Sequence, residues 1–218
     1  MNKRDIRLVA FDVDGTLVHG ETLSETLARR VGYLARMQEI ERIQEEIDFI
    51  PAREEIASWF RSIPFAELCT CLQSIRLAPG VKEGLALLKR HQIKIALVSI
   101  TWEFAVEWLA QKLGADYFVG TRLSIEGDIT HFWAQDKASW LCELAQQLDL
   151  HLEQIAAVGD SNGDRYMLRT AGYGFFVGKT VPTGLTEVYH YPDGNIHTIA
   201  QHIIDIAKKR TEDITDDV

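Results

Sequence analysis

One pattern constrains this chain more than any other: short apolar runs that stop at a polar or acidic residue, each followed by a helical stretch. Residues 6–11 stop at Asp12, residues 93–98 at Ser99, and residues 155–158 at Gly159-Asp160; residues 173–177 form a further run. Dense apolar runs of this length read as strands buried on both faces, and helical patterns between them imply βαβ units. The expected fold class is α/β, a parallel sheet core with helices on both faces.

The stretch from 20 to 77 breaks the alternation. It is charged and helical in period through Leu23, Leu27, Val31, Leu34, Ile40, Ile43 and Ile47. Pro51 suits the first position of another helix, with Ile56, Trp59 and Phe60 on one face. Residues 65–75 read as a third helix, no convincing strand interrupts the block, and Ala78-Pro79-Gly80 closes it. The expected organisation is a core of residues 1–19 and 78–210, a small helical cap of residues 20–77 inserted after the first strand, and an acidic tail from 211 to 218. The cap is expected over the carboxyl edge of the sheet, where ligands of open α/β sheets bind. Residues 117–119 read as a short strand, and Glu126-Gly127-Asp128 as the turn of a hairpin over 123–132.

The chain has 218 residues, with 32 acidic side chains against 23 basic ones, a formal charge of −9. That balance argues against nucleic acid or an anionic membrane as partner. Much of it is local: the tail carries Glu212, Asp213, Asp216 and Asp217 without a base. Cys69, Cys71 and Cys142 have no zinc spacing and read as reduced thiols packed as small apolar residues. No signal peptide pattern or membrane-length apolar run is visible, so the expected compartment is the cytoplasm.

The strand ends carry the chemistry. Asp12 and Asp14 follow the first strand, Ser99 the second, and Asp160 and Asp164 a later one; Lys137 opens a helix. In a parallel sheet these ends share one edge, so four carboxylates, a hydroxyl and an amine converge. Such a cluster needs a cation, because like charges raise one another's pKa. Carboxylates without His or Cys neighbours point to Mg²⁺. Mg²⁺ beside Ser99 and Lys137 suits a phosphoryl group, an Asp beside the metal can be its nucleophile, and a second Asp can shuttle the proton.

Asp12-Val13-Asp14-Gly15-Thr16-Leu17-Val18 resembles the first motif of the haloacid dehalogenase superfamily of phosphatases. Ser99 resembles its second motif, Lys137 its third, and Gly159-Asp160 with Asp164 its fourth, in order along the chain. The resemblance implies a Rossmann-like core, Mg²⁺ dependence and an aspartyl-phosphate intermediate. It implies that Asp12 is nucleophile and metal ligand, and that Asp14 is general acid/base with its backbone carbonyl on the metal. Ser99, Ile100 and Lys137 fall at the phosphoryl group, and Asp160 and Asp164 at the metal.

Within the superfamily, the helical insertion and the stretch from Leu17 to Thr22 resemble phosphoserine phosphatases, which implies that Glu21 reaches a substrate amine. Three positions depart from that pattern: Ile100-Thr101 stand where those enzymes have Gly-Gly, Gly163 replaces an Asn, and Ile56 stands where they carry an Arg for the substrate carboxylate. Arg53 lies one turn earlier and, with Thr101, is a candidate substrate contact. Trp102 is a candidate for the pocket mouth. The expected function is Mg²⁺-dependent hydrolysis of a small phosphorylated metabolite, phosphoserine being the first to try. Phosphotransfer to a small alcohol, or metabolite binding without catalysis, are the alternatives; the intact Asp12/Asp14 pair argues for chemistry.

Overall fold

The computed structural model describes residues 5–43 and 46–212. The chain runs β1 (Leu8–Phe11), β2 (Val18–His19), α1 (Leu23–Arg30), α2 (Leu34–Ile40), α3 (Glu46–Phe60), α4 (Phe65–Leu68), β3 (Arg76–Leu77) and α5 (Val81–Arg90). It continues through β4 (Lys94–Trp102), α6 (Glu103–Leu113), β5 (Tyr117–Leu123), β6 (Ile129–Thr130), α7 (Asp136–Gln147), β7 (Ile155–Gly159) and α8 (Arg165–Thr170). It ends with β8 (Tyr173–Val177), β9 (Val188–Tyr191) and α9 (Ile196–Glu212).

Among the described residues the main sheet has the order β6-β5-β4-β1-β7-β8-β9, parallel throughout except β6. β1 is buried on both faces because every residue in it is apolar and both of its edges are paired. Its alternating side chains feed two cores. Val9 and Phe11 face one with Leu23, Leu27, Ile56 and Phe60; Leu8 and Ala10 face the other with Leu141, Met167 and Phe176. Phe11, the last residue of β1, pairs with Leu97 of β4 and Val158 of β7; β7 ends one residue further on, while β4 runs on to Trp102. The chain moves outward from β1 through β4 and β5, then returns to β7 on its other side, placing the topological switch beside Asp12.

The α/β class expected from the sequence is the fold observed. Several local expectations are corrected. β4 does not stop before Ser99; it continues to Trp102 through a register shift between Val98 and Trp102. Residues 117–123 are one strand, which pairs with β6 around the Gly127 turn (φ +98°). The 20–77 block contains β3, which pairs with β2 where the chain leaves and rejoins the core. Pro51 lies inside α3 rather than at its start, so it leaves one helical carbonyl without its usual N–H. The third helix of the block shortens to α4 and tightens into a 3₁₀ turn over Cys69–Ser74. β9, a partly exposed edge strand, was not anticipated. Cys142 is exposed rather than packed. Of the acidic tail, residues 213–218 lie outside the described residues. No helix among the described residues is long and apolar enough to cross a membrane.

Candidate active site

Asp12 is the residue directly after β1, with its backbone N–H on the carbonyl of Val158 (2.9 Å). The turn that follows reverses so sharply that Gly15 sits at φ +91°, and a Cβ there would lie 2.2 Å from Asp160 Oδ2. Only glycine lets the first loop approach the fourth-motif carboxylate this closely. Thr16 Oγ1 donates to Asp160 Oδ1 (3.2 Å) across the same contact.

Lys137, in the first turn of α7, is buried and bridges the cluster. Its Nζ donates to Asp12 Oδ1 and Asp164 Oδ1, both at 2.6 Å. Burial alone would lower its pKa, but the two carboxylates hold it above its ordinary range. The other oxygen of Asp164 accepts from the backbone N–H of Asp160 and Ser161 and from the Ser161 hydroxyl. Asp164 is fully buried and anchors both the lysine and the fourth-motif loop.

The carboxyl groups of Asp12, Asp14 and Asp160 are raised above their usual range. For Asp12 the cause is burial, then the nearby Asp164 charge; for Asp160, pushed to about 6, the order is the same. Asp14 is pushed to about 7 by burial, against the lowering effect of its hydrogen bond from Leu23 N (2.8 Å). Ligand oxygens of Asp12, Asp160 and Asp164 lie within 4.8 Å of one another. This all-oxygen set fits a hard divalent cation.

The site opens into a cavity of about 340 Å³. Asp12, Asp14, Ser99, Ile100, Thr101, Lys137 and Arg53 all line it; Glu21 does not. Ser99 is buried and its Oγ accepts from Thr101 N (3.2 Å). Thr101 Oγ1 meets Ser24 Oγ at 2.6 Å, linking β4 to the first turn of α1. Arg53 is 2% exposed. Its Nη2 donates to the carbonyls of Ile100 and Phe132, both 3.1 Å, and its Nη1 meets His131 Nδ1 at 3.1 Å. Its guanidinium lies 4.0 Å from the Trp133 ring centroid and 5.3 Å from that of Phe49.

Glu21 is directed elsewhere by Arg29, which grips both its oxygens at 2.8–3.1 Å. The carboxylate at the cavity rim is instead Glu41, which accepts from Thr22 Oγ1 at 2.7 Å. Trp102, a candidate for the pocket mouth, is a buried part of the cavity lining; Thr22, Ser24, Thr121 and Trp133 join it, though the sequence does not single them out. The Thr22-x-x-Glu25 capping box was a legible signal for the helix start that places Thr22 and Ser24. Nothing local marks Glu41 or Trp133.

Fold and site together define a class: α/β proteins with a carboxylate cluster and a buried lysine at the carboxyl edge of a parallel sheet. The family model of haloacid dehalogenase-like hydrolases matches residues 9–169, and the chain belongs to that family. A phosphoserine phosphatase of Archaeoglobus fulgidus is 34% identical over 180 residues, covering 78% of this chain and 52% of that protein. The chain thus spans about half of that relative. One of Lactococcus lactis is 28% identical over 211 residues, covering 93% of this chain and 97% of the relative. Among solved structures, a phospho-aspartyl intermediate analogue of phosphoserine phosphatase superposes with a TM-score of 0.74 at 24% identity, covering 91% of this chain and 99% of that one.

Proposed function

We propose that this chain is an Mg²⁺-dependent phosphomonoester hydrolase acting on a small phosphorylated metabolite through Asp12. The observation that carries it is the placement of two aspartates of different character on one cavity. Asp12 is tied to Lys137 at the tip of the central strand; Asp14, two residues on, is held instead by the Leu23 N–H, and burial raises its carboxyl above the ordinary range.

Lys137 fixes one Asp12 oxygen, leaving the carboxylate oriented for in-line attack on phosphorus. As the Asp12 O–P bond forms, the bond to the leaving oxygen breaks, and Asp14 delivers a proton to that oxygen. Asp14 then takes a proton from water, which attacks phosphorus and releases phosphate from Asp12. A carboxyl group with pKa near 7 is suited to both transfers. Its hydrogen bond from Leu23 N holds it in place. Ser99 and Lys137 contact the phosphoryl oxygens. Asp12, Asp160, Asp164 and the Asp14 carbonyl would hold Mg²⁺, which supplies charge neutralisation at the phosphoryl oxygens. The kinship with phosphoserine phosphatases supports this assignment.

Turnover of p-nitrophenyl phosphate with Mg²⁺ and with EDTA, for the parent and Asp12→Asn, is the test. A loss of at least about 10³-fold is expected in the variant. Equal rates would remove Asp12 as nucleophile.

A further inference from the structure

We propose that the alcohol half of the substrate is apolar and carries no carboxylate, a proposal that rests on the phosphomonoesterase assignment above. Away from Asp12 and Lys137, the cavity wall carries an apolar stretch of Met37, Ile43, Phe49, Ile56, Trp102 and Trp133, beside the polar Thr22, Ser24, Glu41, Thr101 and Thr121. The cations lining the cavity are Lys137 and Arg53, and both are engaged. Lys137 lies between two carboxylates at 2.6 Å. Arg53 faces the same space but spends its guanidinium on structure. It binds the carbonyls of Ile100 and Phe132 and the His131 ring, and packs against Trp133 and Phe49.

A substrate carboxylate drawn to Arg53 would have to take it from two backbone carbonyls. The carbonyl of Ile100 would keep the Thr121 hydroxyl at 2.9 Å, and that of Phe132 only a contact of 3.4 Å with the same hydroxyl. Leaving the buried Phe132 carbonyl poorly satisfied opposes the exchange. A carboxylate that stopped short of Arg53 would lie on an apolar wall with Asp14 and Glu41 as the other charges facing the cavity, an unpaired and repelled anion. Methylene or aromatic carbon meets complementary surface on Met37, Ile43, Phe49, Ile56 and the two tryptophans.

The experiment compares kcat/KM for O-phospho-L-serine, n-propyl phosphate and n-butyl phosphate in the full chain with Mg²⁺, using p-nitrophenyl phosphate as reference. The hydroxyl of serine is the more acidic leaving group, so intrinsic reactivity works against the proposal. The expected result is that n-propyl phosphate exceeds phosphoserine by at least tenfold and that n-butyl phosphate gains about fourfold more, the effect of burying one methylene. Phosphoserine equal to or better than n-propyl phosphate overturns the proposal, as does a flat response to chain length. Absence of p-nitrophenyl phosphate turnover is a different failure, that of the phosphatase assignment itself. Arg53→Gln adds an independent readout. As a structural group, Arg53 lowers both alkyl and seryl turnover by the same factor when replaced; a loss confined to phosphoserine makes it a carboxylate clamp and overturns the proposal. If Arg53→Gln does not fold, the wild-type series still decides.

Discussion

The two ends of the cavity hold charge in opposite ways. At the sheet edge, Asp12, Asp160 and Asp164 crowd within 4.8 Å with one lysine among them, and the pKa values of Asp12 and Asp160 are driven up. At the far wall, the Arg53 guanidinium makes three hydrogen bonds at 3.1 Å between aromatic rings. One end is electrostatically frustrated and poised to accept a cation; the other is already satisfied. A buried charge that is poorly matched is a candidate for chemistry, whereas one that is fully matched is a candidate for architecture. Arg53 cross-links α3 to the Ile100 carbonyl on β4 and to the segment before α7, so it braces the walls around the phosphoryl end.

Lys137 gives the largest expected effect. Lys137→Ala leaves Asp12 and Asp164 buried without their ammonium. Removing one partner of such a group typically costs about 3–5 kcal/mol. Urea unfolding in EDTA at pH 7.5 is expected to show a loss of that order. Arg36→Ala, which breaks exposed pairs with Glu39 and Glu55, is expected to leave the midpoint unchanged. Equal effects from the two substitutions would erase the distinction between the sheet edge and an ordinary surface.

The second effect is a pH dependence. In metal-free protein Asp12, Asp14 and Asp160 are raised above the ~4 of an unfolded Asp, so the folded state binds more protons than the unfolded one. Stability from this source is complete below about pH 4 and is lost as pH rises through about 6 for Asp160 and about 7 for Asp14. Urea midpoints in EDTA are expected to fall between pH 5 and pH 8. The proposed site would hold Mg²⁺ on its deprotonated carboxylates, so Mg²⁺ is expected to raise the midpoint more at pH 8 than at pH 5. A flat profile in EDTA, or an equal Mg²⁺ effect at both pH values, would mean that the carboxylates are not frustrated.

These two ends also differ in how far the sequence reveals them. Asp12, Ser99 and Asp160 could be brought together from strand order alone, because parallel strand ends share an edge and apolar runs mark the strands. Side chains on the far wall come from α2, α3 and the segment after β6, whose mutual placement depends on helix packing that no local pattern encodes. Glu21 illustrates the limit: it and Glu41 are acidic residues of the same helical block, yet Arg29 captures one while the other meets the Thr22 hydroxyl at the cavity. From the sequence Arg53 is a candidate substrate contact and nothing more, because its partners Ile100, His131 and Phe132 lie more than forty positions away. β9 escaped notice for a related reason. Its edge position leaves a half-exposed run that lacks both a clean alternation and a continuous apolar signal.

The smallest expected effect probes whether the two ends are mechanically joined. Ser24 Oγ and Thr101 Oγ1 meet at 2.6 Å, and one residue before Ser24 the Leu23 N–H holds Asp14 Oδ1 at 2.8 Å. The first turn of α1 therefore ties Asp14, the proposed proton-transfer group, to the end of β4 beyond Ser99. Ser24→Ala removes one hydroxyl pair, a change of about 0.5–1.5 kcal/mol. If α1 transmits position from the helical block to Asp14, part of that energy appears in the chemistry. Turnover of an alkyl phosphate, whose leaving oxygen needs a proton, then falls about two- to tenfold. The p-nitrophenyl ester, which leaves as a stable anion, is affected less. A stability loss with the two esters equally affected would show that the Ser24–Thr101 contact merely closes the cavity, and that the far wall and the catalytic edge work independently.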